Sequence, residues 1–268
     1  DLNHHPHIVV APHHLVVGSE TCNDTQDQEF LQSIAARHDL SQVALLPPSI
    51  EDFRLILGEL SQTYQHIVMI LTSSQLSQAY ENAFQAAYQL RGAASIQVID
   101  SQNIGAGLGM LVQIAAEALE KGIHPTQINR LVRGMIPHVY SIFCLQSLNH
   151  LAHSGYLDPA QAAIGEMLGI VPFYVLDSGK LIPIQKVRSM RQLVDVLHEF
   201  VTEFDNIDHI ALLHGTSPYE QEMRNLSDRL GQDFPDTPIS EHPFGAAMTV
   251  MFGPRSLGIA VLEHTNEV

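Results

Sequence analysis

Three times between residues 43 and 121 a short apolar run gives way to a polar turn and then to an amphipathic helix. That alternation is what a layered sheet-and-helix fold requires. Val43 to Leu46 reads as a strand that Pro47 and Pro48 end. Ser49 then starts a helix with Asp52 three residues on, a capping-box variant, and with Phe53, Ile56, Leu57 and Leu60 along one face. Ile67 to Leu71 is a buried strand. The helix after it carries Leu76, Tyr80, Ala83, Phe84, Ala87 and Tyr88 at helical spacing, and Gly92 stops it. Ile96 to Ile99 is the third strand, followed by Asp100 and Ser101 and then by a helix from about Ala106 to Lys121, ending at Gly122. Upstream, Ile8 to Val10 and Leu15 to Val17 are short strand candidates, and a helix from about Thr25 places Phe30, Leu31, Ile34 and Ala35 on one face. The expectation for residues 1–137 is an α/β domain with a parallel sheet.

After Pro137 the rhythm changes. Val139 to Leu145 is a strand that leads into a short helix, and His153-Ser154-Gly155 breaks the chain. Phe173 to Leu176 and Leu181 to Gln185 flank Asp177-Ser178-Gly179, a hairpin signature. A helix from about Met190 to Phe204 precedes a strand at Ile210 to Leu213. Two further strands are expected near Ala246 to Met251 and Leu257 to Leu262. Hairpins mixed with helices predict an α+β domain over residues 138–268 with a mixed or largely antiparallel sheet.

Composition narrows the function. The 268 residues are 45% apolar, enough for a packed core, and carry a formal charge of −16. Such an acidic surface repels phosphate backbones and anionic membranes, so nucleic acid is not expected as a partner. No apolar run reaches the length of a membrane span, and no basic-then-apolar leader opens the chain. Cys22 and Cys144 lie far apart in no metal or redox spacing, which suits packed thiols in a reducing, cytoplasmic setting. His4, His5, His7, His13 and His14 crowd the start without supporting Cys, Asp or Glu spacing, so they read as a solvated segment rather than a metal site.

The chemistry concentrates at residues 72–77. Thr72, Ser73, Ser74 and Ser77 place four hydroxyls at the carboxyl end of a predicted strand, where open α/β sheets bind ligands. Two readings stand. Ser74 caps the following helix, or the hydroxyls and helix-start N–H groups seat a carboxylate or phosphate. A phosphate loop would need glycines and a Lys, absent from 72–80. The neighbouring small residues (Ala79, Ala83, Ala86, Ala87, then Gly105, Ala106, Gly107 and Gly109) and the apolar strands suit a carboxylate head with an apolar tail running inward.

Ser73 to Ala83, "SSQLSQAYENA", resembles the "SSxLSGTYxxA" segment of DegV family proteins. The likeness continues in order. Val98 to Ser101 with Gly105, Gly107 and Gly109 resembles their "VIDS" stretch and the glycines after it. Leu148 to Gly169 resembles their "LeyLkkGGRIskaqAalGelLg". Pro172, Asp177, Gly179, Lys186 and Arg188 fall on "kPil…dG.l…KxR", His214-Gly215 on an HG pair, and Gly253-Pro254 with Gly258 on "HxGPGxxG". The resemblance implies a two-domain fold that buries a long-chain fatty acid, with no cofactor besides that ligand. It also implies a carboxylate held by the "SSxLS" hydroxyls and by an upstream "TSQPS" segment. Some members present the bound acid to a separate kinase subunit.

The departures matter. Leu45-Leu46-Pro47-Pro48-Ser49 stands where "TSQPS" is expected, so only Ser49 of that clamp survives. The Arg of "GGRI" is Tyr156, the His of "HxGPG" is Met251, and its last Gly is Arg255. Arg and His are the side chains that would steady a phosphoryl group, so their loss argues for binding without phosphoryl transfer. The opening "DSTxDLP" is reduced to Asp1-Leu2, which places the start of the sequence just after the usual first strand. Tyr156 reads as a rim residue or a ligand contact, and His214 as a structural histidine. Lys186 and Arg188 read as a solvated pair or as ligand contacts. Arg255 is a candidate replacement partner for the carboxylate. Three functions follow in order: a non-catalytic fatty-acid binder, a presenting subunit for a fatty acid kinase, and an enzyme acting in the same cleft. The last lacks a nucleophile–base pair, a metal cluster or a nucleotide loop.

Overall fold

The computed structural model describes residues 7–265 apart from 25–28, 31–33, 35–38, 41–42, 91, 93, 146, 188–189 and 216–219. Among the described residues the strands form three sheets. In the first, β1 (His14–Val17) pairs antiparallel with both β2 (Glu20–Asn23) and β3 (Ala44–Leu46). In the second, β4 (His66–Leu71) and β5 (Ser95–Asp100) run parallel, with Leu71 opposite Asp100. The third comprises β6 (Val139–Cys144), β7 (Val171–Asp177), β8 (Lys180–Val187), β9 (Ile207–His214), β10 (Ile239–Pro243) and β11 (Leu257–Glu263), in the order β10-β9-β11-β6-β7-β8. All its neighbours are antiparallel except β10 and β9. The fold is therefore mixed α/β. The parallel pairing expected of the first half is found in β4–β5, while β3 turns instead to β1.

The helices are α1 (Ile50–Leu60), α2 (Ala79–Gln89), α3 (Ala106–Glu120), α4 (Pro125–Met135), α5 (Leu148–His153), α6 (Pro159–Met167), α7 (Met190–Thr202), α8 (Glu220–Asp233) and α9 (Ala246–Phe252). Ser49 caps α1 in a full box: its Oγ accepts the Asp52 N–H at 3.1 Å, and Asp52 Oδ2 accepts the Ser49 N–H at 2.7 Å. Two elements overturn the sequence reading. Ile8 to Val10 forms no strand. Ala246 to Met251 is helical, as α9, and not a strand. Its residues are buried all round, so no periodicity separated the two readings, and the β-branched pair Thr249-Val250 favoured the wrong one. Of the helix expected from Thr25, residues 29, 30 and 34 are helical; Thr25, Leu31 and Ala35 lie outside the described residues.

Alternation along the six-stranded sheet gives it two apolar faces. One packs Ile142, Cys144, Phe173, Ile210, Leu212, Ile259 and Val261 against Leu193 and Leu197 of α7 and Leu226 and Leu230 of α8. On the other, Val139, Ala211, Ala260 and Leu262 meet Met110, Leu111 and Ala115 of α3, which also covers Ile99 of β5. Helix α9 closes the molecule by laying Ala246 and Val250 on Leu15 and Val43. Each large side chain buried this way contributes about 1.5–3 kcal/mol. Both cysteines are free thiols, Cys144 fully buried.

Candidate functional site

The parallel pair β4–β5 delivers two loops to one place, because both strands end at the same register. The loops lace together: Ser101 N–H donates to Leu71 O at 3.0 Å and Ser73 N–H to Asn103 O at 2.9 Å. Ser73 is fully buried, and its hydroxyl donates to Gly179 O in the β7–β8 hairpin at 2.7 Å. Ser74 is exposed and bound to Asp100, its hydroxyl reaching Oδ2 at 2.5 Å and its N–H reaching Oδ1 at 3.1 Å. Ser77 Oγ accepts the Ala79 N–H at 3.2 Å and lies 3.0 Å from His13 Nε2. Tyr156, in the loop between α5 and α6, donates its hydroxyl to Leu76 O. Burial raises the Tyr156 phenol above its ordinary pKa, so it stays a neutral donor.

The capping reading of Ser74 does not hold. Helix α2 starts only at Ala79, with Gln78 at its N-cap and no side-chain cap, so Ser74 caps nothing. The hydroxyl is instead taken by the Asp100 carboxylate. The N–H groups of Gln75, Leu76 and Ser77 already bond Ser73 Oγ or Ser73 O. The hydroxyls of the turn thus serve separate ends: Ser73 holds the hairpin, Ser74 holds β5, and Ser77 faces His13. Thr72 is half-buried beside them.

His13 is the residue sequence reasoning missed. The opening histidines read as solvated, yet His13 is half-buried against the serine turn, and burial together with the neighbouring His14 lowers its pKa to about 4. His14 sets its Nδ1 2.9 Å from Asn23 Oδ1 and its Nε2 3.1 Å from Asp52 Oδ2. His13-His14 leading directly into the apolar run Leu15-Val16-Val17 was the available signal, because side-chain alternation puts His13 on the same side as the buried Leu15. Among the described residues no three His, Cys, Asp or Glu side chains gather as a metal site.

The small-residue stripes have a different use from the one expected. Ala79, Ala83 and Ala86 are buried against Phe53 and Leu57, letting α2 and α1 approach closely. A Cβ on Gly107 would meet Asn103 Oδ1 at 2.6 Å and Val139 at 3.2 Å, so α3 sits tight on β6. Room exists between α5, α6 and the β7–β8 hairpin, where a cavity of about 500 Å³ opens to solvent. Leu148, Leu157, Ile164, Ile170, Tyr174 and Ile184 line it, with Lys186 on its wall. Of these, Ile164 and Ile184 remain exposed to solvent.

The other predicted residues scatter. Ser49 is committed to α1, its hydroxyl 2.7 Å from Asp52 Oδ2. Met251 is buried in the apolar cluster that holds Phe244 and Phe252. Arg255 is exposed beyond α9. His214 Nδ1 lies 2.9 Å from Gly215 O and Nε2 3.4 Å from Glu241 Oε1, as a structural histidine would. Arg188 lies outside the described residues. Among the described residues no helix is long and apolar enough to cross a membrane.

The family model described as "Uncharacterised protein, DegV family" matches residues 2–264. A DegV domain-containing protein of Staphylococcus aureus is 26% identical over 200 residues, 74% of this chain and 69% of that one. The fatty acid binding DegV family protein of Streptococcus agalactiae superposes with a TM-score of 0.85 at 22% identity, over 98% of this chain and 94% of that one. The Fatty Acid Kinase (Fak) B3 protein of Streptococcus pneumoniae, loaded with linoleic acid, superposes at 0.82 and 17% identity over 94% and 90%.

Proposed function

The chain belongs to the DegV family, and from that membership we propose that it binds a long-chain fatty acid without catalysis of its own. The carboxylate sits at the turn of Thr72, Ser73, Ser74 and Ser77, under Tyr156. The acyl tail runs to the cavity between α5, α6 and the β7–β8 hairpin. The observation that carries this reading is apolar continuity. Leu76, whose carbonyl takes the Tyr156 hydroxyl, belongs to the same packed cluster as Leu148 and Tyr174 of the cavity wall, and Leu157, Leu176 and Leu181 pack on that cluster. Solved relatives from Streptococcus agalactiae and Streptococcus pneumoniae are described as fatty-acid-binding and as loaded with linoleic acid, which supports the same ligand class.

Dimensions select the ligand. Pro183, the first wall residue on β8, lies four positions beyond Gly179, about 13 Å at strand rise. A long acyl chain covers that distance and a short acid does not. Each buried CH₂ contributes about 0.8 kcal/mol, so a C16 tail contributes on the order of 10 kcal/mol. A head-group seat with few open donors is then tolerable.

Denaturing purified protein, extracting it and recording a mass spectrum should reveal a C14 to C18 fatty acid. No recovered lipid, together with no calorimetric response to added fatty acid, overturns the reading. A second role, presenting the bound acid to a kinase subunit in the cytoplasm, is favoured by the likeness to the Fak B3 protein. Against it stand Tyr156 and Met251 at the positions of the expected Arg and His, the first neutral and the second buried.

A further inference from the structure

An anion at the serine turn meets a charge problem. The Asp100 carboxylate already faces the turn through Ser74. Among the described residues, no Lys or Arg is hydrogen-bonded to Thr72, Ser73, Ser74, Leu76 or Ser77; their side-chain partners are Gly179, Asp100, His13 and Tyr156. A second carboxylate beside Asp100, partly removed from water and with no cation bonded to the turn, is disfavoured. His13 is the titratable base in contact with the turn, with Nε2 on Ser77 Oγ.

Resting on the fatty-acid reading above, we propose that His13 supplies the missing positive charge: it takes a proton from solvent as the carboxylate binds at Ser77. The event is neutral imidazole plus one proton giving imidazolium, paired with the ligand carboxylate. No covalent bond forms. The consequence is that this protein binds its ligand as the formal equivalent of the neutral acid, so affinity depends on pH at values where free fatty acid is ionised.

The ground state is prepared for this. Burial and the adjacent His14 keep His13 uncharged in the empty protein at neutral pH. The other groups around it are identified. His14 is held between Asn23 and Asp52. Asp24 gives its backbone N–H to His13 O, while its own carboxylate accepts the Ala247 N–H of α9. Asp100 and Tyr156 contact the turn through Ser74 and Leu76. Among the described residues the His13 ring is hydrogen-bonded to Ser77 and to no carboxylate, so an arriving carboxylate is what changes its protonation.

Titration calorimetry of the ligand-stripped full chain with sodium myristate, at pH 6, 7 and 8 in buffers of different ionisation enthalpy, counts the protons. Linkage requires that a His pKa raised on binding gives uptake between the free-state and bound-state pKa values and none above the latter. Uptake of about half to one proton per ligand at pH 6, with affinity falling severalfold toward pH 8, is the expected result. His13→Gln, which retains a hydrogen bond to Ser77 but cannot titrate, should bind more weakly at pH 6, without proton uptake and with a flat profile. Binding by the wild type without uptake overturns the inference and leaves fatty-acid binding standing. Uptake that persists in His13→Gln also overturns it, by assigning the proton elsewhere. No binding at any pH removes the fatty-acid reading and this inference with it.

Discussion

Gly179→Ala tests how the serine turn is joined to the cavity. Ser178 and Gly179 form the hairpin turn with φ of 49° and 79°, the left-handed pair that a two-residue connection between twisted strands needs. A non-glycine residue held there loses about 1–2 kcal/mol. The added methyl would also overlap Ser73 Oγ, which approaches closely because it donates to Gly179 O. Pushing that hydroxyl away leaves a fully buried oxygen unpaired, at about 1–3 kcal/mol. The total is about 2–5 kcal/mol, measurable by urea unfolding at pH 7. The two contributions separate in a double-mutant cycle. In a Ser73→Ala background the overlap is gone, so Gly179→Ala should cost only the backbone share. A cost under about 1 kcal/mol in the wild type, or the same cost in both backgrounds, would falsify the idea that Ser73 and Gly179 act as one clasp.

Ser77→Ala should weaken fatty-acid binding by about 1–3 kcal/mol if its hydroxyl contacts a charged carboxylate, whereas Ser74→Ala, which frees Asp100, should lower the melting temperature of the empty protein; affinities that fall only in Ser74→Ala would reverse these assignments. Stability should drop as pH falls from about 6.5 toward 4, because His13, His150, His209 and His242 are held below their ordinary pKa by burial, so the unfolded chain takes up protons that the folded one refuses. Urea midpoints that do not change over that window would contradict their burial. Mixed with a fatty acid kinase subunit, ATP and Mg²⁺, the protein should yield no acyl phosphate; turnover that matches a presenting relative and disappears in Arg255→Ala would assign the charge to Arg255. A division at 137/138 remains a proposal about chain order, and a fragment of residues 1–137 should fail to fold alone because Ile99, Met110 and Leu111 pack on Val139, Ala260 and Leu262; a cooperative unfolding transition from that fragment would show otherwise.

What was legible in the sequence is what short-range physics specifies. The α1 cap, the β7–β8 turn and the β4–β5 strands depend on neighbours within a few positions, and Ser49, Gly179 and Ile67 to Leu71 announce them. Helix α8 went unread because its apolar stripe is sparse, with Met223, Leu226 and Leu230 spaced along a polar segment, and β10 because an edge strand of sequence ISEHP carries little pattern. Position 246–252 misled for the opposite reason: with every side facing protein, burial erased the periodicity that separates helix from strand.

The candidate site was half legible, for the same reason. Its hydroxyls lie within six consecutive positions and could be read together. Its remaining parts come from distances no local rule sees: His13 from 64 positions upstream of Ser77, Tyr156 from 80 beyond Leu76, and Gly179 from 106 beyond Ser73. Two of these contacts, with that of Asp100 to Ser74, set what the serines are bonded to. Ser73 is tied to Gly179 and Ser74 to the Asp100 carboxylate, while Ser77 is the hydroxyl whose partner is a histidine. A sequence motif that lists serines therefore suggests a seat for a head group but does not say which hydroxyl would meet it. In this chain the division of labour is set by one histidine just ahead of β1 and one glycine in a hairpin, and the pH dependence of binding is where the two accounts part.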